Sequence, residues 1–159
     1  MGKIKIFAGN GHGKSPAALG EALMAAARGK HVVIIQFLKG KGMEESVFQR
    51  RLEPEIKLFR FEKSDCDFFE LPKEKQKEEV QNIRNGLNFA KKVLTTGECD
   101  LLILDEVLGL VDNSIVGEEE LKGVLEAQGE YTDVVLTGIR LSDDMLALAD
   151  VVSGIEQVK

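Results

Sequence analysis

Residues 8–15 read Ala-Gly-Asn-Gly-His-Gly-Lys-Ser, directly after the apolar residues Ile4, Ile6 and Phe7. A small residue, a spacer of four and then Gly-Lys-Ser is the pattern of a loop that cradles phosphate. Gly9, Gly11 and Gly13 leave little side chain in the way, so backbone N–H groups can turn toward an anion. Lys14 can reach the outer phosphates of a nucleoside triphosphate, and the Ser15 hydroxyl can reach a bound Mg²⁺. Asn10 and His12 fill the places between the glycines. A His12 imidazolium could touch phosphate, or the ring could simply lie in solvent. A helix that starts at once brings its partly positive N-terminus to the same spot. The competing reading, a glycine-rich turn without a ligand, fits the strand-to-helix context less well.

A second group of residues carries acid. The apolar run Leu101-Leu-Ile-Leu104 leads into Asp105 and Glu106. An acid at such a strand end can hold Mg²⁺ directly or through water, beside the loop hydroxyl, and a second acid can bind metal or orient the attacking group. Alone, the pair could equally be two acids capping a strand in solvent. With the loop, both strand ends face one crevice. Arg140 follows Thr137-Gly138 at another strand end and could neutralise triphosphate charge; a plain surface arginine is the other reading. Phe68 and Phe69 stand in an irregular segment before a helix, either as core or as aromatics pressing on a large flat ligand. His31 opens a strand and reads as structural.

These residues need a scaffold, and the chain spells one out. Strands are expected at 3–7, 31–37, 56–61, 101–104, 134–136 and 151–155. The near-continuous apolar stretch His31 to Phe37 is typical of a parallel strand covered on both faces. The alternating 56–61 stretch belongs nearer the sheet edge. Helices are expected at 14–28, near 44–52, from Lys73 to about Thr95, at 118–127 and after Ser142, which can cap it. Pro16 is tolerable in the first turn of the first helix. In the long helix Val80, Ile83, Leu87, Ala90 and Leu94 step by three and four and line one face; Gly97 closes it. Leu38 to Gly42 reads as a basic loop. Strands alternating with helices imply an α/β fold, P-loop NTPase-like, with a mainly parallel sheet of about five to six strands and helices on both faces. Residues 1–159 form a single nucleotide-binding domain on this reading.

The totals exclude other classes. The chain has 159 residues, 43% hydrophobic and 30% charged, as an ordinary globular domain has. Its formal net charge of −6 argues against broad nucleic-acid or anionic-membrane binding, while leaving room for a local basic pocket. No run reaches roughly 18 apolar residues, so no bilayer-spanning helix is expected. Cys66 and Cys99 have neither metal-ligand nor redox-pair spacing, which suits free thiols in a reducing cytoplasm.

In chain order, Gly-Asn-Gly-x-Gly-Lys-Ser (9–15), Ala17-Ala-Leu-Gly20, Gln36-Phe-Leu-Lys-Gly40, Leu104-Asp-Glu106, Thr137-Gly138 and Ala149-Asp-Val-Val152 resemble the ATP:corrinoid adenosyltransferases of cobalamin synthesis and salvage. The resemblance covers nearly the whole chain, and the stretch from Gln36 to Gly40 is its most discriminating part. It implies a P-loop type sheet, generally a homodimer, that binds ATP with Mg²⁺ and a reduced corrinoid acceptor. Co(I) would attack the 5′ carbon of the ribose and triphosphate would leave. A reductase would supply the electrons. Loop residues Gly9 to Ser15, with Arg140, would hold ATP. Ser15, Asp105 and Glu106 would face the metal, with Lys14 and Glu106 acting on the reaction, and Phe69 would face the corrinoid.

The chain departs from the family pattern at several places. His12 stands where a lysine is usual, and Ser15 and Pro16 stand for threonines. Met24 and Ile139 replace arginines, Leu71 replaces a tryptophan, and Gly154 and Glu156 interrupt an acidic-then-basic ending. The nucleotide side is therefore intact and the corrinoid side altered. A divergent transferase is the leading reading. A nucleotide-dependent regulator without corrinoid activity is the alternative, and a simple ATPase a weaker third.

Overall fold

A computed structural model describes residues 2–38 and 47–159, without the side chains of Val47 and Phe48. The basic loop expected at 38–42 and the first residues of the helix expected near 44 lie, apart from Leu38, outside the described residues. The strands are β1 Ile4–Ala8, β2 Val32–Gln36, β3 Ile56–Arg60, β4 Leu101–Asp105, β5 Asp133–Gly138 and β6 Val151–Gly154. The helices are α1 Lys14–Ala27, α2 Val47–Arg51, α3 Lys73–Thr96, α4 Val107–Asp112, α5 Glu118–Leu125 and α6 Asp143–Leu148. A 3₁₀ turn spans Phe68–Glu70.

The six strands form one sheet in the order β3-β2-β4-β5-β1-β6, and every pairing is parallel. The expected mainly parallel sheet is thus wholly parallel, and the alternating strand Ile56–Arg60 does lie at an edge. β2 and β4 sit inside the sheet and are buried along their whole length, which is why their sequences run apolar without alternation. Successive side chains still face opposite ways. Val33 and Ile35 join a core cluster with Leu87, Leu94 and Leu121, while Val32 and Ile34 join a smaller one with Ala18, Ala22 and Ala25 of α1. One face of the sheet therefore carries the larger core, and the other packs on the small residues of α1. The alanines let α1 approach the strands closely, and that places its first turn over their C-terminal edge.

Element ends follow local chemistry. Gly97 ends α3 in the left-handed region at φ 65°, its N–H bonding to the Val93 carbonyl. The Ser142 hydroxyl accepts from the Met145 N–H and caps α6. α4 was not expected from the sequence. It is six residues long and is entered through Glu106 at φ 61°, an unusual conformation for a non-glycine residue. This sharp turn lets the chain leave β4 and fold back over β5, with Leu108 pressed against Gly138.

Candidate functional site

The C-terminal ends of the strands form one row of polar groups on the α1 side. Register pairs Gln36 of β2 with Arg60 of β3 and with Asp105 of β4, and Phe7 of β1 with Thr137 of β5. In open α/β sheets this edge is where ligands bind. The residues singled out from the sequence meet here in part.

The phosphate loop runs from Gly9 to Gly13 between β1 and α1. Gly9 has φ 132°, which suits glycine alone, and its N–H bonds to the carbonyls of Gly138 and Ile139. The Gly11 N–H donates to the Ile155 carbonyl at 3.0 Å. These two amides brace the loop against β5 and the end of β6. The start of α1 adds the N–H groups of a helix's first turn, which point out along the helix axis toward an anion. Pro16 is the third helical residue and lacks an N–H altogether. Asn10 and His12 are exposed on the rim of the loop.

Lys14 is only 8% exposed, and its ammonium donates to the Gly11 carbonyl at 2.9 Å. The charge is thereby held inside the loop's own ring, with further N–H donors available to an oxyanion. The Ser15 hydroxyl donates to Asp105 Oδ1 at 2.8 Å. Asp105 Oδ1 also accepts from the Thr137 hydroxyl at 2.8 Å, and Thr137 Oγ1 in turn accepts from the Glu106 N–H at 2.7 Å. Thr137 is fully buried. It joins the acid of β4 to β5 and fixes the backbone at the strand end. Sequence reading used Thr137 only as part of a motif and gave it no role; its place at the end of a buried strand, on the Asp105 face, is the signal that could have found it.

Ser15 and Asp105 offer hard oxygen donors, the kind Mg²⁺ prefers. Among the described residues no group of three or more His, Cys, Asp or Glu side chains could hold a metal unaided. The Glu106 carboxylate lies over α4, with Oε2 3.9 Å from where a Cβ on Gly109 would stand. The two neighbouring acids thus leave the strand end in different directions.

Arg140 follows the turn that bonds to Gly9, yet its guanidinium is 3.7 Å from Asp112 at the end of α4 and is largely exposed. The structure does not bring it onto the phosphate loop. Ile139 beside it is exposed. Of the two phenylalanines, Phe68 is buried in the larger core and Phe69 is 54% exposed, stacked edge-on against Phe68 with ring centroids 5.3 Å apart. The segment carrying them is tied down by buried carboxylates. Glu62 Oε1 accepts from the Leu38 N–H at 2.8 Å, and Glu79 accepts from the Lys63 N–H at 3.0 Å. Burial pushes the Glu62 carboxyl above the usual carboxylate range; the Leu38 N–H opposes that, Glu79 adds to it and Arg60 opposes it. Neither carboxylate was singled out from the sequence, because a glutamate's burial depends on contacts far along the chain.

No helix among the described residues is long and apolar enough to cross a membrane. The sequence model of the family ATP:corrinoid adenosyltransferase BtuR/CobO/CobP matches residues 1–159. The corrinoid adenosyltransferase of Escherichia coli strain K12 is 31% identical over 158 residues, covering 99% of this chain and 78% of that protein. Corrinoid adenosyltransferase CobA of Salmonella typhimurium strain LT2 is 30% identical with the same coverage. Among solved structures, the KaiC-like protein PH0186 from Pyrococcus horikoshii OT3 superposes with a TM-score of 0.56 at 18% identity, covering 99% of this chain and 74% of that one. That likeness supports the α/β fold with its parallel sheet.

Proposed function

The chain belongs to the ATP:corrinoid adenosyltransferase family, and from that premise we propose that it transfers the 5′-deoxyadenosyl group of ATP to the Co(I) of a reduced corrinoid. The observation that carries the proposal is the meeting of the Ser15 hydroxyl with Asp105 beside the phosphate loop. In this reaction a cobalt–carbon bond forms at C5′ and the C5′–O bond breaks. The electron pair comes from Co(I), so the protein need not supply a nucleophile. Its task is to hold C5′ in line, neutralise the leaving triphosphate and keep water out.

The residues divide that task. The N–H groups at the start of α1 and the Lys14 ammonium receive the phosphate oxygens, whose charge grows as the C5′–O bond lengthens. Gly9 and Gly11 keep the loop in shape, and Asn10 and His12 line its outer rim. Mg²⁺, when bound, would neutralise the departing triphosphate; Ser15 and Asp105 would hold it, with Glu106 as the adjoining acid. Thr137 holds Asp105 in the rotamer that reaches Ser15. Arg140 would have to leave Asp112 to contribute charge, and Phe69 offers an exposed ring for the flat acceptor. A homodimer in the cytoplasm, supplied with electrons by a reductase, completes the proposal.

The test is anaerobic incubation with ATP, Mg²⁺ and chemically reduced cobinamide or cobalamin. The expected result is a light-sensitive alkyl-cobalt spectrum with intact triphosphate detected by phosphorus NMR. Orthophosphate as the product would point to an ATPase instead. The position of Arg140 favours a second reading, a nucleotide-dependent regulator. It predicts ATP binding in calorimetry without turnover, and measurable corrinoid affinity would count against it.

A further inference from the structure

The proposed activity gives no task to Leu38, which lies in the stretch from Gln36 to Gly40 that carries much of the family resemblance. The chain leaves β2 there. The Phe37 N–H still bonds to the Asp105 carbonyl at 3.0 Å, and Leu38 then turns into the left-handed region at φ 57°. That region is disfavoured for a residue with a Cβ, so the surroundings must hold it there. Two contacts do so. The Leu38 N–H donates to Glu62 Oε1 at 2.8 Å, and Leu38 Cδ1 lies 2.9 Å from where a Cβ on Gly109 would stand. Glu106 Oε2 is 3.9 Å from that same point. Leu38 and the Glu106 carboxylate therefore share one small patch of α4, open only because residue 109 has no side chain.

The first of these contacts is built at a cost. Glu62 is buried, and so is Glu79, which lies near enough to repel it. Carboxylates are rarely buried, and two of them together cost more than one. Both are used as acceptors. Glu79 of α3 accepts from the N–H groups of Lys63 at 3.0 Å and Ser64 at 3.4 Å, and from the Asn82 side-chain amide at 3.0 Å. It thereby fixes the backbone immediately after Glu62. Glu62, so held, reaches across to the turn after β2. A charged acceptor makes the stronger bond, which suits a turn kept against its own preference. A run of contacts thus passes from α3 through Glu79, Glu62 and Leu38 to α4, and it ends beside Glu106.

We propose that Glu62 is a positioning residue for adenosyl transfer: its bond to the Leu38 N–H seats Leu38 on Gly109 and so confines the Glu106 carboxylate at the start of α4. The inference rests on the proposed activity and adds to it a residue that touches neither substrate. Without the bond, Leu38 leaves the left-handed region, its side chain comes off Gly109, and Glu106 gains room to turn along α4. The phosphate loop takes no part in this run of contacts, so ATP affinity is spared while the rate is not. A shift of about 1 Å in a group that serves the reaction can cost on the order of a hundredfold in rate.

Three measurements on the intact chain test this: single-turnover adenosylation of reduced cobinamide, calorimetry with MgATP, and hydrogen exchange at the Leu38 amide of the free protein. Glu62→Met, close in shape but without the acceptor, is expected to slow transfer by about ten- to a hundredfold and to leave the Kd for MgATP within about twofold. Exchange at Leu38 should quicken by about tenfold, as for one lost hydrogen bond to a charged group. Glu62→Gln, which keeps an oxygen, is expected to recover most of the rate and of the protection. Gly109→Ala reaches the same contact from the other side. Its methyl displaces Leu38 Cδ1 while the bond to Glu62 stays, so transfer should slow at ordinary ATP affinity, and this variant serves if the methionine one does not fold. A Glu62 that served packing alone would alter Tm and leave the transfer rate of the folded chain untouched. A wild-type rate in Glu62→Met or in Gly109→Ala, or a glutamine variant as slow as the methionine one, overturns the assignment. So does a fall in ATP affinity as large as the fall in rate, since the contacts would then act on the phosphate loop. A wild type that binds ATP but transfers nothing removes the proposed activity and this inference together, whereas an active wild type with unaffected variants removes the inference alone.

Discussion

Thr137 and Lys14 show how much depends on single side chains. Thr137 Oγ1 accepts from the Glu106 N–H and donates to Asp105 Oδ1, at 2.7 and 2.8 Å, inside a fully buried site. Thr137→Val keeps the shape but takes one donor from Asp105 and the hydroxyl acceptor from the Glu106 N–H, so a loss of about 1–3 kcal/mol in urea-unfolding free energy is expected, with Thr137→Ser recovering most of it. Lys14→Ala removes a charge but not the helix-start amides. ATP binding in calorimetry should weaken by about 1–3 kcal/mol, as for one charge-assisted contact; unchanged affinity would mean that the loop is not the site. Lys14, Ser15 and Asp105 were legible in the sequence because loop and strand end are each local patterns with fixed chemistry. Arg140 was legible only as a candidate, since its direction is set by Asp112 across a helix that the sequence did not announce. That Gln36 Oε1 finds no hydrogen-bond partner among the described residues was not legible at all, because it follows from tertiary contacts that the local sequence does not carry.

At the scale of elements, close approach matters more than propensity. A Cβ on Gly138 would lie 2.3 Å from Leu108 Cβ, so Gly138→Ala must push α4 off β5. A cost of about 1–3 kcal/mol is expected, as for overpacking elsewhere, together with weaker ATP binding because Gly9 bonds to the Gly138 carbonyl. Gly20 is the contrasting case. It lies inside α1 with nothing within 4 Å of an added Cβ. Gly20→Ala should stabilise by about 0.5–1 kcal/mol, measured by the same urea titration, since alanine costs less backbone entropy in a helix. Periodicity revealed α3 and the Ser142 cap revealed α6, but no such signal marked α4, which has six residues and follows its strand after one turn residue. A segment that short cannot show a helical period distinct from the apolar run before it. The edge position of β3 was legible because its outer positions had to be polar. The reason the sheet is parallel throughout was legible too, in the apolar runs of β2 and β4.

On the scale of the molecule, proton and ligand equilibria report on the whole fold. Burial raises the Glu62 carboxyl above its ordinary 4.5, so the folded chain holds that proton more tightly than the unfolded one. The associated stability is present in full below the ordinary value and is lost as pH rises through the raised one. Glu62→Gln keeps an oxygen for the Leu38 N–H and removes the titration. Its Tm should exceed that of wild type at pH 7, and the difference should close as pH falls below 4.5. Nucleotide acts through the same two-state equilibrium. The phosphate loop is bonded to β5 and to the chain just past β6, and its first helical turn meets β4 through Asp105. Unfolding therefore breaks the binding site, and ATP bound only by the folded chain stabilises it by RT ln(1 + [L]/Kd), about 2.7 kcal/mol at a hundredfold excess over Kd. For a domain of this size that corresponds to a rise in Tm of about 5–10 °C. A thermal scan with MgATP at that excess checks it, and Lys14→Ala at the same nucleotide concentration should show a smaller rise. A Tm that does not move with ATP would mean that the row of polar groups at the strand ends does not hold a triphosphate, because any ligand seated there must hold β1, β4 and α1 together.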